Sequence, residues 1–209
     1  MGVRTVYSNI FPEEVAAYKA PADNVASTGA QAVVLGSTDV PTVSAFMSAF
    51  EQQHYNPKIF IAAAGPDQGS AFTSAVGVKN ADGVMVPDAW YPGSSNPLSQ
   101  AMVKAYVAKY GGSASDINAD IAEAYSVGEV TQQALTHIGS VDNTKVISYL
   151  HSGVTLQSVQ GPVRFNALGE NLAATAYIFQ WQNGKFVQVL PAGDPGSVKI
   201  LYPKPNWGQ

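Results

Sequence analysis

Three loops in this sequence carry residue types that hold small molecules. Ala62-Ala63-Ala64-Gly65-Pro66-Asp67-Gln68-Gly69-Ser70 follows a run that reads as a buried strand and precedes one that reads as a helix. In open α/β sheets, ligands bind at that strand-to-helix edge. Glycine and alanine there let a ligand approach the backbone closely. Asp67 is either a partner for a ligand cation or a carboxylate that caps its own turn. Leu35-Gly36-Ser37-Thr38-Asp39 lies on the same edge. Its hydroxyls either donate to a ligand, or Thr38 or Asp39 caps the next helix. Trp90 and Tyr91 follow a third strand pattern and serve as cleft walls or as packing anchors.

Catalytic and metal chemistry find no matching pattern. No HExxH, Asp-rich calcium loop, G-x-S-x-G elbow, G-x-G-x-x-G fingerprint or Walker loop occurs. His54, His137 and His151 are dispersed, each near the end of a helical stretch, where a cation complements the helix dipole. Glu13-Glu14 reads as a solvated face. No catalytic residue, metal site or cofactor is expected.

The chain has 209 residues with a net charge of −4, and only 12% of them are charged, about half the usual ~25%. Lys and Arg do not cluster, which argues against a nucleic-acid surface. No apolar run approaches the ~20 residues that span a bilayer. With no cysteine there is no disulfide frame, thiolate site or cysteine nucleophile. The amino terminus enters a strand-like run without a basic-then-apolar leader, so we expect either a protein that is not exported or a mature or trimmed form.

Stepping along the chain, strands are expected at Val3–Tyr7, Ala32–Leu35, Lys58–Ala62 and Gly83–Val86. Helices are expected from Pro21, over Pro41–His54, and over Ser70–Val76. Ser8 to Ala20 has no clear period. This alternation predicts βαβ units and a parallel sheet. From Pro97 the pattern becomes helical only: Pro97–Tyr110, Asp116–Ile138 (apolar at Ile121, Tyr125, Val127 and Leu135) and Asn143–His151. Strands return at Gly161–Phe165, Ala174–Trp181 and Lys185–Leu190, with Asn183-Gly184 as a hairpin turn between the last two. Pro191 to Gln209 is rich in Pro and Gly and is expected to wrap an outer surface.

Several phrases, taken in order, resemble a known family. They are Thr28-Gly29-Ala30-Gln31-Ala32-Val33-Val34-Leu35-Gly36, Asn56-Pro57-Lys58-Ile59-Phe60, Asp82-Gly83-Val84 and Tyr106-Val107-Ala108-Lys109-Tyr110-Gly111. Further on come Ala122-Glu123-Ala124-Tyr125-Ser126-Val127, Gly161-Pro162-Val163-Arg164-Phe165-Asn166, and Phe179-Gln180-Trp181-Gln182-Asn183-Gly184-Lys185-Phe186. Their order and spacing over residues 3–190 resemble the branched-chain amino acid type of ABC-transporter substrate-binding proteins, of class I periplasmic-binding fold.

The resemblance implies an α/β fold with flavodoxin-like strand order and two lobes that close on a small molecule. On that reading, residues 1–91 are βα repeats of lobe 2 and 92–156 are helices of lobe 1. Residues 157–190 are closing strands of lobe 2, and 191–209 are a tail. The resemblance also implies that an N-terminal lobe segment and the first strand of lobe 2 are missing. Their absence would leave a gap between the strands at Val3 and Ala32. Asp67 matches an acid that holds a ligand ammonium. Thr38 matches a contact position usually filled by an aromatic. Asp120 and Glu123 begin a helix that borders the cleft, where apolar residues are common. The candidate ligand-binding set is thus Thr38, Asp67, Trp90, Tyr91, Asp120 and Glu123.

The implied function is a solute-binding receptor of an ABC importer, periplasmic or at the cell surface. Its partners would be a small-molecule ligand, such as an amino acid, and an ABC permease. Contact with the membrane would be peripheral at most, nucleic acid is not expected, and self-association of the chain is. A ligand-sensing regulatory domain of the same fold, a small α/β enzyme and a remnant that binds nothing are the alternatives.

Overall fold

The computed structural model describes residues 2–12 and 18–208. The chain divides into two compact units, residues 1–88 with 177–209, and residues 89–176.

The first unit opens with α1 (Lys19–Ser27), β1 (Ala32–Leu35), α2 (Val40–Gln52) and β2 (Ile59–Ala62). It continues with α3 (Ser70–Val76), α4 (Val78–Ala81) and β3 (Val84–Asp88). The strands are short and rich in β-branched residues; β1 runs into Gly36, β2 ends at Ala62, and β3 ends at Pro87-Asp88. β1, β2 and β3 pair in parallel, as the alternation predicts. The hairpin β6 (Tyr177–Gln182) and β7 (Lys185–Leu190) adds two antiparallel strands beside β3. The order is β1-β2-β3-β6-β7. Asn183 and Gly184 turn the hairpin at φ 52° and 71°, the doubly left-handed turn that Asn-Gly adopts most readily.

Helix α2 supplies the core. Val43, Phe46, Met47 and Phe50, spaced three and four apart, are all buried. Phe50 meets Phe46, Tyr55 and Phe60 at ring separations of 6.0, 5.0 and 5.8 Å. Edge-to-face geometry at these pairs adds to the area they bury.

The expected strand at Val3–Tyr7 does not form. Those residues are outside every strand, and Val3 is 92% exposed. Their β-branched character is not enough, because a strand also needs a partner edge and a buried face. The expected gap in mid-sheet is corrected with it. β1 pairs directly with β2 and forms the edge of a continuous sheet. Val34 on this edge is 76% exposed.

The carboxy-terminal tail is more than an outer wrapping. Its backbone accepts from and donates to Gln180, whose amide also reaches the Gly83 carbonyl. Lys204 N–H donates to the Lys58 carbonyl at 2.9 Å. The Trp207 indole donates to the Tyr55 carbonyl at 2.8 Å. The Lys204 side chain is buried. Its Nζ donates to Asn56 Oδ1 at 3.0 Å and stands 3.5 Å from the centre of the Trp207 ring. Burial lowers its pKa from 10.5 to about 8, against the opposing fields of Glu51 and Asp82. A base whose folded pKa lies below its unfolded value binds fewer protons when folded. Stability is therefore expected to rise as pH climbs from about 8 toward 10.5. Chemical unfolding across that range checks this, and Lys204→Met should flatten the rise.

The second unit holds α5 (Pro97–Tyr110), a 3-10 turn (Ala114–Asp116), α6 (Ala119–Ile138) and α7 (Asn143–Leu150). Asn96, Asn118 and Asp142 cap the three helices by accepting from Leu98, Ile121 and Lys145 N–H. α6 differs from expectation in the face it buries. Tyr125 and Val127 are exposed, and the small residues Ala119, Ala122, Ser126 and Ala134 lie inside.

The strand expected at Gly161–Phe165 also differs. β5 (Gly161–Val163) pairs with β4 (Leu156–Ser158) in a separate two-stranded ribbon. Residues 157–176 thus group with the helices rather than with the closing strands. Polar side chains on α6 hold the ribbon. Gln133 exchanges hydrogen bonds with both backbone groups of Gln157, and Glu129 accepts from Val159 N–H at 2.7 Å. Burial raises the Glu129 pKa, and the Val159 bond opposes that shift.

Candidate functional site

Within the first unit, the carboxyl ends of β1 and β2 bring two of the three sequence loops together. Ala63 N–H donates to the Leu35 carbonyl at 2.9 Å, continuing the ladder one step past the strands. Ser37, buried, then donates its hydroxyl to the Ala64 carbonyl at 2.5 Å. Gly65 closes the junction at φ 109°, where a Cβ would lie 2.8 Å from the Asp39 carbonyl oxygen. Only glycine fits a backbone that close and that left-handed.

The alternatives for these loops now separate. Asp39 is the helix cap, accepting from Thr42 N–H at 2.8 Å. Thr38 is exposed and borders a cavity of about 340 Å³, with Asn9, Ile10, Phe11, Tyr18, Gly36, Ser37 and Thr42. Small-molecule sites run ~300–1,000 Å³. Thr42 donates its hydroxyl to the Tyr18 phenol oxygen at 3.1 Å. Phe11 closes the wall against Tyr18 and Phe46 at 5.6 and 5.2 Å.

Asp67 sits on the neighbouring loop and is half-buried. One carboxylate oxygen accepts from Gly65 N–H at 2.7 Å, the other from the Gln68 amide at 2.8 Å. These bonds define the turn, which Trp181 also braces by donating to the Pro66 carbonyl at 2.8 Å.

The other four expected site residues belong to the second unit. Trp90 is buried in its core with Met102, Ile117, Ala122 and Val159, and donates to Ser99 Oγ at 2.8 Å. Tyr91 is half-buried, and its ring folds over Gly93. Asp120 and Glu123 lie exposed on the first turns of α6, with the Asn118 amide 3.4 Å from Asp120 Oδ2. His137 stacks on Tyr149 at 4.4 Å beside a hollow of about 520 Å³ between α6, α7 and β4. Among the described residues, no group of three His, Asp or Glu side chains could hold a metal, and no helix is long and apolar enough to cross a membrane.

Sequence reasoning missed Asn9, Ile10, Phe11 and Tyr18. The signal available was an aromatic at each end of an aperiodic segment, which marks packing against something but does not say what.

Comparisons with known proteins agree with this architecture. Residues 1–185 match the family model described as periplasmic binding protein. No curated protein matches the sequence with significance. Among solved structures, a leucine binding protein, LivK, from Thermotoga maritima superposes with a TM-score of 0.69 at 19% identity, covering 82% of this chain and 47% of that one. The branched-chain amino acid transporter substrate binding protein LivJ from Streptococcus pneumoniae, in complex with isoleucine, gives 0.61 at 18%, covering 75% and 42%. A solute binding protein of an ABC transporter from Rhodopseudomonas palustris, in complex with p-hydroxybenzoic acid, gives 0.63 at 14%, covering 91% and 50%. The chain spans about half the length of these structures.

Proposed function

The chain belongs to the periplasmic binding protein family, and from that premise we propose that it is part of a solute receptor that delivers a small organic molecule to an ABC permease outside the cytoplasm. One observation carries the reading: the cavity beside Thr38 lies at the strand-to-helix edge, where α/β sheets bind ligands. The solved neighbours include proteins in complex with isoleucine and with p-hydroxybenzoic acid. An amino acid or a small aromatic acid is the ligand range to test. In this reading Thr38, on the cavity of the first unit, contributes to holding the ligand.

The reading assigns no catalytic role: among the described residues, the site offers no nucleophile with a base and an orienting group. Contacts are expected to be fewer than in a receptor twice as long. Losing ~4 kcal/mol of contacts weakens binding about a thousandfold, which places affinity near the millimolar range. Titration of amino acids, aromatic acids and small amides by calorimetry tests the reading. Saturable, reversible heats without turnover support it. Turnover of any probe, abolished by a single-residue change, would overturn it.

A further inference from the structure

We propose that the segment Val3-Arg4-Thr5-Val6-Tyr7 docks on the open edge of β1 as a sixth strand of the sheet, parallel to β1 and within the same chain. The inference is independent of the solute-receptor reading and concerns how the sheet is closed on that side.

The backbone defines the edge. The Gln31 and Leu35 carbonyls accept from Ile59 and Ala63 N–H at 3.1 and 2.9 Å. Alternate residues of β1 therefore turn their peptide groups toward β2, and Ala32 and Val34 turn theirs outward. Among the described residues, none bonds to the N–H or C=O of either. Natural sheets guard such an edge with charge, proline or a covering segment. Residues 31–36 contain neither a charge nor a proline. The opposite edge of this sheet is guarded: the Gln188 carbonyl of β7 accepts from Val198 N–H of the tail at 2.9 Å.

Handedness selects the occupant. Residues 3–7 have strand-forming side chains, lie outside every strand and are mostly exposed. α1 links them to β1, as α2 links β1 to β2. Ala22 of α1 is buried in one core with Val43 and Phe46 of α2 and Val33 of β1, so both helices cover the same face. Crossovers between parallel strands are right-handed in almost every sheet. Two right-handed crossovers on one face step across the sheet in the same sense. The strand before α1 therefore falls on the side of β1 away from β2, which is the open edge. The end of the segment is already near it. Asn9, Ile10 and Phe11 border one cavity with Gly36, Ser37 and Thr38, past the carboxyl end of β1. Counting back with Asn9 opposite Thr38 sets Thr5 opposite Val34 and Val3 opposite Ala32. In that register Arg4 C=O accepts from Val34 N–H, and Val6 N–H donates to Val34 C=O. The short tether keeps the segment at high effective concentration, so a foreign strand competes for the edge at a disadvantage.

The test uses the whole chain. Val6→Pro removes the donor that faces β1, in a segment that no other element needs. We expect the Val34 amide to exchange hydrogen about tenfold faster in this variant than in the parent, while the Phe60 amide of β2 keeps its rate and reports an intact fold. The sequence has no cysteine, so Thr5→Cys with Val34→Cys adds a single pair, at a spacing across adjacent strands that a disulfide tolerates. Mild oxidation should consume both thiols and leave a monomer. Equal exchange of Val34 in the parent and in Val6→Pro overturns the inference, as do thiols that stay free. A crosslink formed only between two chains also overturns it, because the edge then belongs to a second copy.

Discussion

Replacing Gly65 with alanine is expected to destabilise the first unit by about 3–5 kcal/mol and to pull apart the two loops beneath the cavity. The residue holds φ 109°, a conformation that L side chains rarely adopt, which accounts for about 1–3 kcal/mol. The remainder comes from contact. The new Cβ would lie 2.8 Å from the Asp39 carbonyl oxygen and 2.9 Å from Val43 Cγ2. The carbonyl belongs to the backbone at a helix cap and cannot swing aside. Either the Ser37–Ala64 bond or the Asp67–Gly65 bond must lengthen in response. Urea unfolding with amide spectra of Thr38 reads both effects. Gly77→Ala is the control, since Gly77 also holds a positive φ, 84°, but has nothing within 4 Å of the added methyl. It should lose only the conformational share. Equal losses at the two positions would show that the loop junction is not tight.

The second large effect is expected at Phe50. Phe50→Ala removes a fully buried ring at the point where α2 meets β2 and the Tyr55 turn. Truncations of this kind cost about 3–5 kcal/mol, the lost transfer energy adding to the cavity left behind. The unit should unfold at a much lower urea concentration. Val34→Ser on the exposed edge of β1 should change stability by less than ~0.5 kcal/mol. A Phe50 variant as stable as the parent would mean that the aromatic cluster is not the centre of the core.

The sequence makes the βα alternation readable because each short apolar run ends in a residue that breaks it, and because α2 repeats its large apolar residues at helical spacing. Asn183-Gly184 makes the closing hairpin readable for an equally local reason. Where the answer depends on a distant partner, local patterning does not reach it. Val3–Tyr7 has strand-forming residues but is paired with no strand. α6 buries alanines and a serine, which give little periodic signal, and leaves Tyr125 and Val127 outside. Lys204 in a Pro-rich tail reads as a surface residue, yet Asn56, Trp207 and the Lys58 carbonyl enclose it.

The site divides along the same line. The position of Thr38 at a strand edge follows from the strand-then-glycine pattern. The commitment of Asp67 to its own turn depends on the backbone angle at Gly65, which side-chain chemistry does not announce. The wall formed by Asn9, Ile10 and Phe11 comes from a segment with no period, so only the folded chain brings it to Thr38.

The chain order of the sheet has a consequence for synthesis. β3 and its partner β6 are separated by residues 89–176. At a ribosomal rate of ~5–20 residues per second, the strand that covers β3 emerges roughly 4–18 s after it. Throughout that interval, the backbone groups of Met85–Asp88 that will face Tyr177–Gln180 are open to any other extended chain. The intervening stretch is uninterrupted, and the partners of its own core are synthesised before the sheet can close. Vectorial folding therefore favours completion of the second unit first, and a holdase attending the nascent protein would find its target at β3.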